Sequence, residues 1–380
     1  MDFRLEPRHE QFRQEVVGFL SSALTPEFWE YHREHELPEW SPRFSREAAA
    51  RGLIAPSWPV EYGGRSLGVI EQTIYMEEMA FAGAPQEHHR RAVQQVGPSI
   101  MLFGDEAQRK RYLPGIARAE ISFAMGLSEA DAGSDLANVQ TKAVRDGDDF
   151  VVNGQKKYTS GAHYSDYLWT VVRTDPSAPK HRGISMMVVP LNSPGVEIQP
   201  LIDMQGRHHF NKVFLTDVRV PADHLVGEEN RGWYVNARTM DLERSGGAHI
   251  GGLRRDLEMA LSAVRQLPSL RDDVRARLAE CAIAVTVARL LAYRVAWLRE
   301  RGDAPNHEVS MVKLLATETT QRIANALVAA SGLNGMVLAT DRWDETVGAV
   351  YVDSARATVG QGTSEIQRNV IATRGLGLPR

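Results

Sequence analysis

Apolar residues recur at helical spacing over the first third of the chain. Phe12, Val16, Phe19 and Leu20 share one face of a predicted first helix, positions 45–51 predict a shorter second one, and Ile70, Ile74 and Tyr75 restart the period. A further helical segment is expected near 93–103, and Asp105 with Gln108 three residues on reads as a capping box for a helix ending near Gly115. Positions 52–64 hold two prolines and end on Gly63-Gly64, so they predict a loop. From Ile121 the period changes to alternation. Asp146-Gly147 and Asn153-Gly154 read as hairpin turns, strands are expected at 166–173, 183–190 and 212–218, and the run Met186 to Val189, apolar on both faces, predicts a central strand. Pro221 ends this module. Helical spacing then returns at 232–266, 271–301, 306–331 and 342–359, a pattern expected of an up-and-down bundle. The expected fold class is a multi-domain α+β chain: an N-terminal α-helical domain (1–120), a middle β-barrel or sandwich domain (121–222) and a C-terminal four-helix bundle (223–380).

Composition narrows the function classes. At 380 residues, 43% hydrophobic and 24% charged, the chain is of ordinary globular make-up and long enough for two or three domains. A formal net charge of -4, with no basic run, argues against a nucleic-acid partner. No uninterrupted run of 18 apolar residues occurs and the first residues lack an apolar leader segment, so no membrane association and a cytoplasmic location are expected. Cys281 is the single cysteine, which excludes a disulfide framework and reads as a small buried residue. His88-His89 and His208-His209 lack the i, i+4 spacing of a helical zinc site; they read as solvated loop residues, and no metal is expected.

The candidate chemistry starts at Ser128-Glu129-Ala130-Asp131-Ala132-Gly133-Ser134-Asp135, a loop whose glycine, hydroxyls and main-chain N–H groups can approach a polar ligand. With Asn153-Gly154-Gln155-Lys156-Lys157-Tyr158-Thr159-Ser160 and the C-terminal Gly360-Gln361-Gly362-Thr363-Ser364-Glu365-Ile366-Gln367-Arg368, it resembles the acyl-CoA dehydrogenase family of flavoproteins over nearly the whole chain. Ala130 stands where the family usually has Pro, and Tyr158 where it has Trp. The resemblance implies FAD as cofactor, with Leu127, Ser128, Gly133, Ser134, Tyr158 and Ser160 along the flavin, and Gly332, Gly335, Thr363 and Glu365 as further cofactor contacts. It also implies an acyl-CoA substrate, an electron-transfer flavoprotein as acceptor and a homo- or heterotetramer with a homologous subunit.

One position departs in a way that matters for mechanism. The family's E-G-T-S-x-I-Q-R signature commonly begins with the catalytic base, and here that residue is Gln361, whose amide cannot take a proton. Members resembling isovaleryl-CoA dehydrogenase instead carry the base on the first long bundle helix, in the context L-E-R, which Leu242-Glu243-Arg244 matches. The implied reaction is removal of an α-proton by Glu243 with hydride transfer from the β-carbon to the flavin, giving a trans-2-enoyl-CoA. The Gln361 main-chain N–H would stabilise the thioester oxygen and Arg244 would stand beside the base. Gly246, Gly247, Gly251 and Gly252 each cost about 1 kcal/mol relative to Ala in a helix, which predicts exposed or closely packed backbone there, as beside a bulky acyl chain.

Two family features are missing. No R-x-x-F-G segment follows the first long bundle helix, and the usual Q-x-x-G-G-x-G has become Ala329-Ala330-Ser331-Gly332-Leu333-Asn334-Gly335. Both belong to FAD contacts shared with a neighbouring subunit. A non-catalytic or half-site subunit of a heterotetramer, and a flavin-dependent monooxygenase on the same fold, are the alternative readings.

Overall fold

A computed structural model describes residues 3–35, 39–243, 246–337 and 346–379, except for the side chains of 241–243. The chain divides into two compact units, one of Pro26–Ser66 and Pro85–Glu243, the other of Met1–Thr25, Leu67–Ala84 and Arg244–Arg380.

The first unit is built on helices and a sheet. Its helices are α2 (Pro26–His35), α3 (Pro42–Ala50), α5 (Glu87–Arg91), α6 (Gly97–Phe103), α7 (Glu106–Ala117) and α8 (Gly232–Glu243), with a π-turn at Ala92–Val96 between α5 and α6. The α7 capping box forms in both directions, Gln108 N donating to Asp105 Oδ1 at 2.8 Å and Asp105 N to Gln108 Oε1 at 3.2 Å. In the 52–64 loop Trp58 is buried, and its indole fills space that only a glycine at 97 leaves open, since a Cβ there would lie 2.2 Å from the ring. The strands are β1 (Phe123–Gly126), β2 (Lys142–Asp146), β3 (Asp149–Lys156), β4 (Tyr167–Arg173), β5 (Ile184–Pro190), β6 (Val196–Leu201), β7 (Phe210–Pro221) and β8 (Leu225–Val226). They form one sheet in the order β6-β7-β3-β2-β4-β5-β8, with β1 parallel to β4. Residues Met186 to Val189 are buried on both faces, as their composition requires.

Asp146 and Asp149 close the β2–β3 hairpin around Gly147, as expected from the dipeptide. Asn153-Gly154 is not a turn. It lies inside β3, where the register against β7 shifts between Val152 and Gly154. Asn153 exchanges two hydrogen bonds with Asp217 (2.9 and 3.0 Å), and a Cβ at Gly154 would sit 2.4 Å from Thr141 Oγ1, so the pair makes a bulge rather than a chain reversal.

The second unit is helical: α1 (Pro7–Ala23), α4 (Val69–Phe81), α9 (Gly247–Arg265), α10 (Asp272–Glu300), α11 (His307–Ser331), α12 (Val347–Ala357) and α13 (Ser364–Val370). The segment expected as one helix over 232–266 is two, α8 and α9, because Gly246 takes a left-handed φ of 85° and caps the second. Helix α4 packs on both α1 and α9, with Ile74, Tyr75 and Met79 fully buried. Two of the α9 glycines find their explanation here. A Cβ at Gly247 would lie 2.9 Å from Thr73 O, and one at Gly251 2.2 Å from Glu77 O, so these residues let α9 approach α4 closely; protein, not ligand, occupies that space. By length and composition α10 could cross a membrane, its most apolar window averaging a hydropathy of 1.6, but it packs against α9, α11 and α4 and pairs Arg289 with a buried carboxylate, as a core helix does. Cys281 is buried on it.

Candidate active site

Two sets of expected site residues fall in different units. In the sheet unit, β1 ends at Gly126, whose carbonyl accepts from Thr170 Oγ1, and the chain leaves the strand through the half-buried Leu127 and Ser128. Ser128 O then accepts from Lys157 N at 2.8 Å, which sets the start of the acidic loop against the residues that follow β3. Beneath that contact lies an ion pair that the motif reading did not single out. Glu129, 9% exposed, accepts from Gln140 N (2.6 Å), Thr141 N (3.1 Å) and Lys156 Nζ (2.8 Å), and Lys156, fully buried, also donates to Val171 O at 2.7 Å. Burial opposes both charges. It pulls the Lys156 ammonium down to about 8, while Lys156 and the main-chain donors nevertheless hold Glu129 below the usual carboxylate range. A signal for this pair was present: Phe150, Val152 and Lys156 share one parity on β3, and a lysine on an inward face needs a partner.

Above the pair the loop is open. Gly133 and Ser134 are exposed, and nothing lies within 4 Å of where a Gly133 Cβ would be, so packing does not demand the glycine. Tyr158 adopts a left-handed φ of 60° and leaves its ring 52% exposed, edge-on to Phe210 at 6.2 Å. The next residue is anchored: Thr159 N donates to Asn211 O (3.0 Å) and Thr159 O accepts from Asn211 Nδ2 (2.9 Å), leaving Ser160 half-buried beyond. Asn211 also donates to His163 Nδ1 (3.1 Å) and accepts from His208 Nε2 (2.7 Å), with the two imidazoles stacked at 3.9 Å. Desolvation, helped by His208, lowers His163 to about 4, so it is neutral at physiological pH. Three of the four paired histidines are thus not solvated; His208 is, on the loop before β7. His88 and His89 are buried on α5, bonded to Ala119 O and Ser45 Oγ at 2.9 Å, and His209 is partly buried, 3.3 Å from Glu39.

In the helical unit Gln361 and Gly362 both take left-handed φ (58° and 89°), and their carbonyls accept from the buried Gln367 Nε2 at 3.2 Å each. Thr363 then caps α13 through Oγ1 to Ile366 N. The exposed Glu365 carboxyl is lowered by main-chain and Thr363 hydrogen bonds at that helix start. Gly332 ends α11 with φ 56° and open space around it, whereas Gly335 is buried, its Cβ position 3.2 Å from Val328 and Ser331. Gly335 is therefore explained by packing of the 332–336 turn on the end of α11. Glu243 is the last residue of α8 and its side chain lies outside the described residues, as does the whole of Arg244. The link from α9 to α10 is only residues 266–271.

Six non-glycine residues among those described have left-handed φ, and two of them are Tyr158 and Gln361, where the sequence expects cofactor and substrate contacts. Family comparison gives this its context. Models for the N-terminal, middle and C-terminal domains of acyl-CoA dehydrogenase match residues 6–120, 124–218 and 230–376. This chain belongs to the acyl-CoA dehydrogenase family. It is 35% identical to acyl-CoA dehydrogenase FadE29 of Mycobacterium tuberculosis (strain ATCC 25618 / H37Rv), over 99% of this chain and 98% of that one. Among solved structures it is similar to the Tcur3481-Tcur3483 steroid ACAD (32% identity, TM-score 0.88) and to the ChsE4-ChsE5 complex from Mycobacterium tuberculosis (32%, TM-score 0.87), each covered completely on both sides. As an acyl-CoA dehydrogenase it is an FAD-dependent oxidoreductase with an N-terminal helical, a middle β and a C-terminal helical part. The residues present fit such a cofactor: the exposed Ser134 stands on a loop fixed from below, with open space at Gly133, and the exposed Tyr158 ring follows β3.

Proposed function

We propose that this acyl-CoA dehydrogenase acts on a bulky or branched acyl-CoA, of the size of a steroid side chain, and forms the trans-2-enoyl thioester. The observation that carries the reading is the pairing of a neutral Gln361, in a left-handed turn, with a glutamate at 243. Bound FAD supplies the acceptor for the β-hydrogen. Glu243 takes the α-proton, with Arg244 beside it, and the Gln361 main-chain N–H polarises the thioester oxygen, which lowers the barrier as that oxygen gains charge. Leu127, Ser128, Gly133, Ser134, Tyr158 and Ser160 are the cofactor contacts of the sheet unit in this reading, and Gly332, Gly335, Thr363 and Glu365 those of the helical unit. The domain division at 120 and 222 and a cytoplasmic location belong to the same reading, as does an electron-transfer flavoprotein as acceptor.

A homologous but unlike subunit completes the enzyme. Support comes from the short 266–271 link, which leaves no room for the segment that reaches a neighbour's FAD, and from Ile283, Val287 and Leu290, an exposed apolar stripe along α10. The relatives described as the Tcur3481-Tcur3483 steroid ACAD and the ChsE4-ChsE5 complex are two-component assemblies by name. The test is anaerobic titration of the purified protein with straight, branched and steroid-side-chain acyl-CoAs, following the visible flavin band. Bleaching by the bulky thioesters, slowed at least about 100-fold in Glu243→Gln, is the expected result. Equal bleaching in the variant refutes Glu243 as base. A colourless chain that gains flavin only on co-expression with a homologous subunit favours the half-site reading.

A further inference from the structure

Away from the proposed catalytic residues, the ends of three helices in the helical unit bring together His9 on the first turn of α1, Glu71 on the first turn of α4 and Glu300 at the end of α10. One ligand atom from each lies within 4.8 Å of the other two. His9 and Glu71 are 2% and 3% exposed, and His9 Nε2 and Glu71 Oε2 are both buried without a hydrogen-bond partner. The buried Glu71 carboxylate, facing the partly exposed carboxylate of Glu300, calls for a cation between them. The nearby guanidinium meets that need only in part: Arg8 is largely exposed, donates through Nε to Glu6 (2.9 Å), and reaches Glu71 and Glu300 only as long ion pairs of 4.0 and 3.6 Å.

We propose that His9, Glu71 and Glu300 bind one divalent transition-metal ion of zinc's class, through His9 Nε2 and one oxygen of each carboxylate, with water completing the shell. The donor set of one imidazole and two carboxylates suits such an ion. So does the geometry. Bonds of about 2.0–2.1 Å arranged tetrahedrally put neighbouring ligand atoms roughly 3.4 Å apart, and His9 Nε2 stands 3.5 Å from Glu71 Oε1. Glu300, partly exposed, has the freedom to close the remaining distance and gives the ion its way in. Gly68 makes the room: a Cβ there would lie 2.6 Å from Glu300 Oε1 and 2.8 Å from Glu71 Oε2, between the two carboxylates. The C-terminal end of α10 adds its own negative pole. Binding has one local cost. His9 Nδ1 accepts the Glu6 N–H at 3.2 Å, so His9 carries its proton on Nε2; coordination moves that proton off Nε2, and protonation at Nδ1 opens the cap. The ion would staple α1, α4 and α10 together.

The experiment is calorimetric titration of the full-length protein, purified with its flavin and freed of metal by chelator, with zinc chloride. One ion per chain is expected, together with a rise in melting temperature of roughly 5 °C at saturation. His9→Gln and Glu300→Gln should each weaken binding at least about tenfold, and Gly68→Ala, which fills the gap between the carboxylates, should weaken it as well. Absence of a saturable one-to-one signal overturns the site. Because Glu300 is partly exposed, Glu300→Gln folds whether or not His9→Gln does, and undiminished zinc affinity in it alone overturns the three-ligand assignment. Neither result bears on Glu243.

Discussion

Glu129 in the sheet unit and Glu77 in the helical unit are both buried carboxylates held below their ordinary range, yet their partners differ in kind. Glu129 takes two main-chain N–H groups and one lysine, all from the segments that flank the open loop. Glu77 takes side chains from distant helices: Arg289 Nε at 2.7 Å, Arg254 at 2.5 Å and the Tyr293 hydroxyl at 2.6 Å, which in turn accepts from Arg13 at 2.7 Å. The first arrangement fixes backbone and leaves the surface above it free, as suits a ligand loop. The second fastens α1, α4, α9 and α10 to one another and holds packing. A buried charge is thus a device for shaping a loop in one place and for fixing helix positions in the other.

The largest effect is expected at Glu77. Glu77→Ala leaves Arg254 and Arg289 facing each other without a counter-charge, and should cost on the order of 4 kcal/mol in urea-unfolding experiments. Lys156→Met comes next, at about 3 kcal/mol, because Glu129 keeps its main-chain donors after losing its cation. The contrast is sharpened by a second readout. Lys156→Met should also weaken FAD binding at least about tenfold, since one pK or affinity decade needs only about 1.4 kcal/mol of loop disorder. Unchanged flavin affinity in that variant would break the distinction between the two regions.

Smaller effects separate close packing from open backbone on a single helix. Gly251→Ala should destabilise by about 2 kcal/mol, as its Cβ meets the Glu77 carbonyl, while Gly252→Ala, with open space around it, should stabilise by up to about 1 kcal/mol. Melting of the two variants side by side measures the difference. The effect smallest at neutral pH is acid sensitivity through His89, which burial, with His88 adding to it, lowers to about 3. Its folded value lies below its unfolded one, so the unfolded chain binds the proton first as pH falls. Stability is then present above about pH 6.5 and declines at up to about 1.4 kcal/mol per pH unit toward pH 3. His89→Gln should flatten that slope in unfolding curves taken between pH 6 and pH 4.

Much of this was legible beforehand, and the failures have physical causes. Asp146-Gly147 made the expected hairpin because both neighbours pair within five residues, whereas Asn153-Gly154 became a bulge because Asp217, far along the chain, captured the Asn153 side chain. The expected site loop, Ser128 to Asp135, is exposed where its composition says it should be, but its anchor, Lys156, was hidden in plain alternation. Gly247 and Gly251 were read toward a ligand and belong to the contact with α4, a segment some 170 residues earlier in the chain.

The sequence by itself determined the order of helices, strands and helices, the family, and that a glutamine stands at 361 and a glutamate at 243, because period and motif are local properties of neighbouring residues. Only the tertiary structure decided that α4 packs with the C-terminal helices, that His88 and His89 are buried, and that His9, Glu71 and Glu300 converge. Those outcomes depend on which distant surfaces meet, and burial and proximity between them are set by the whole chain's packing rather than by any stretch of it.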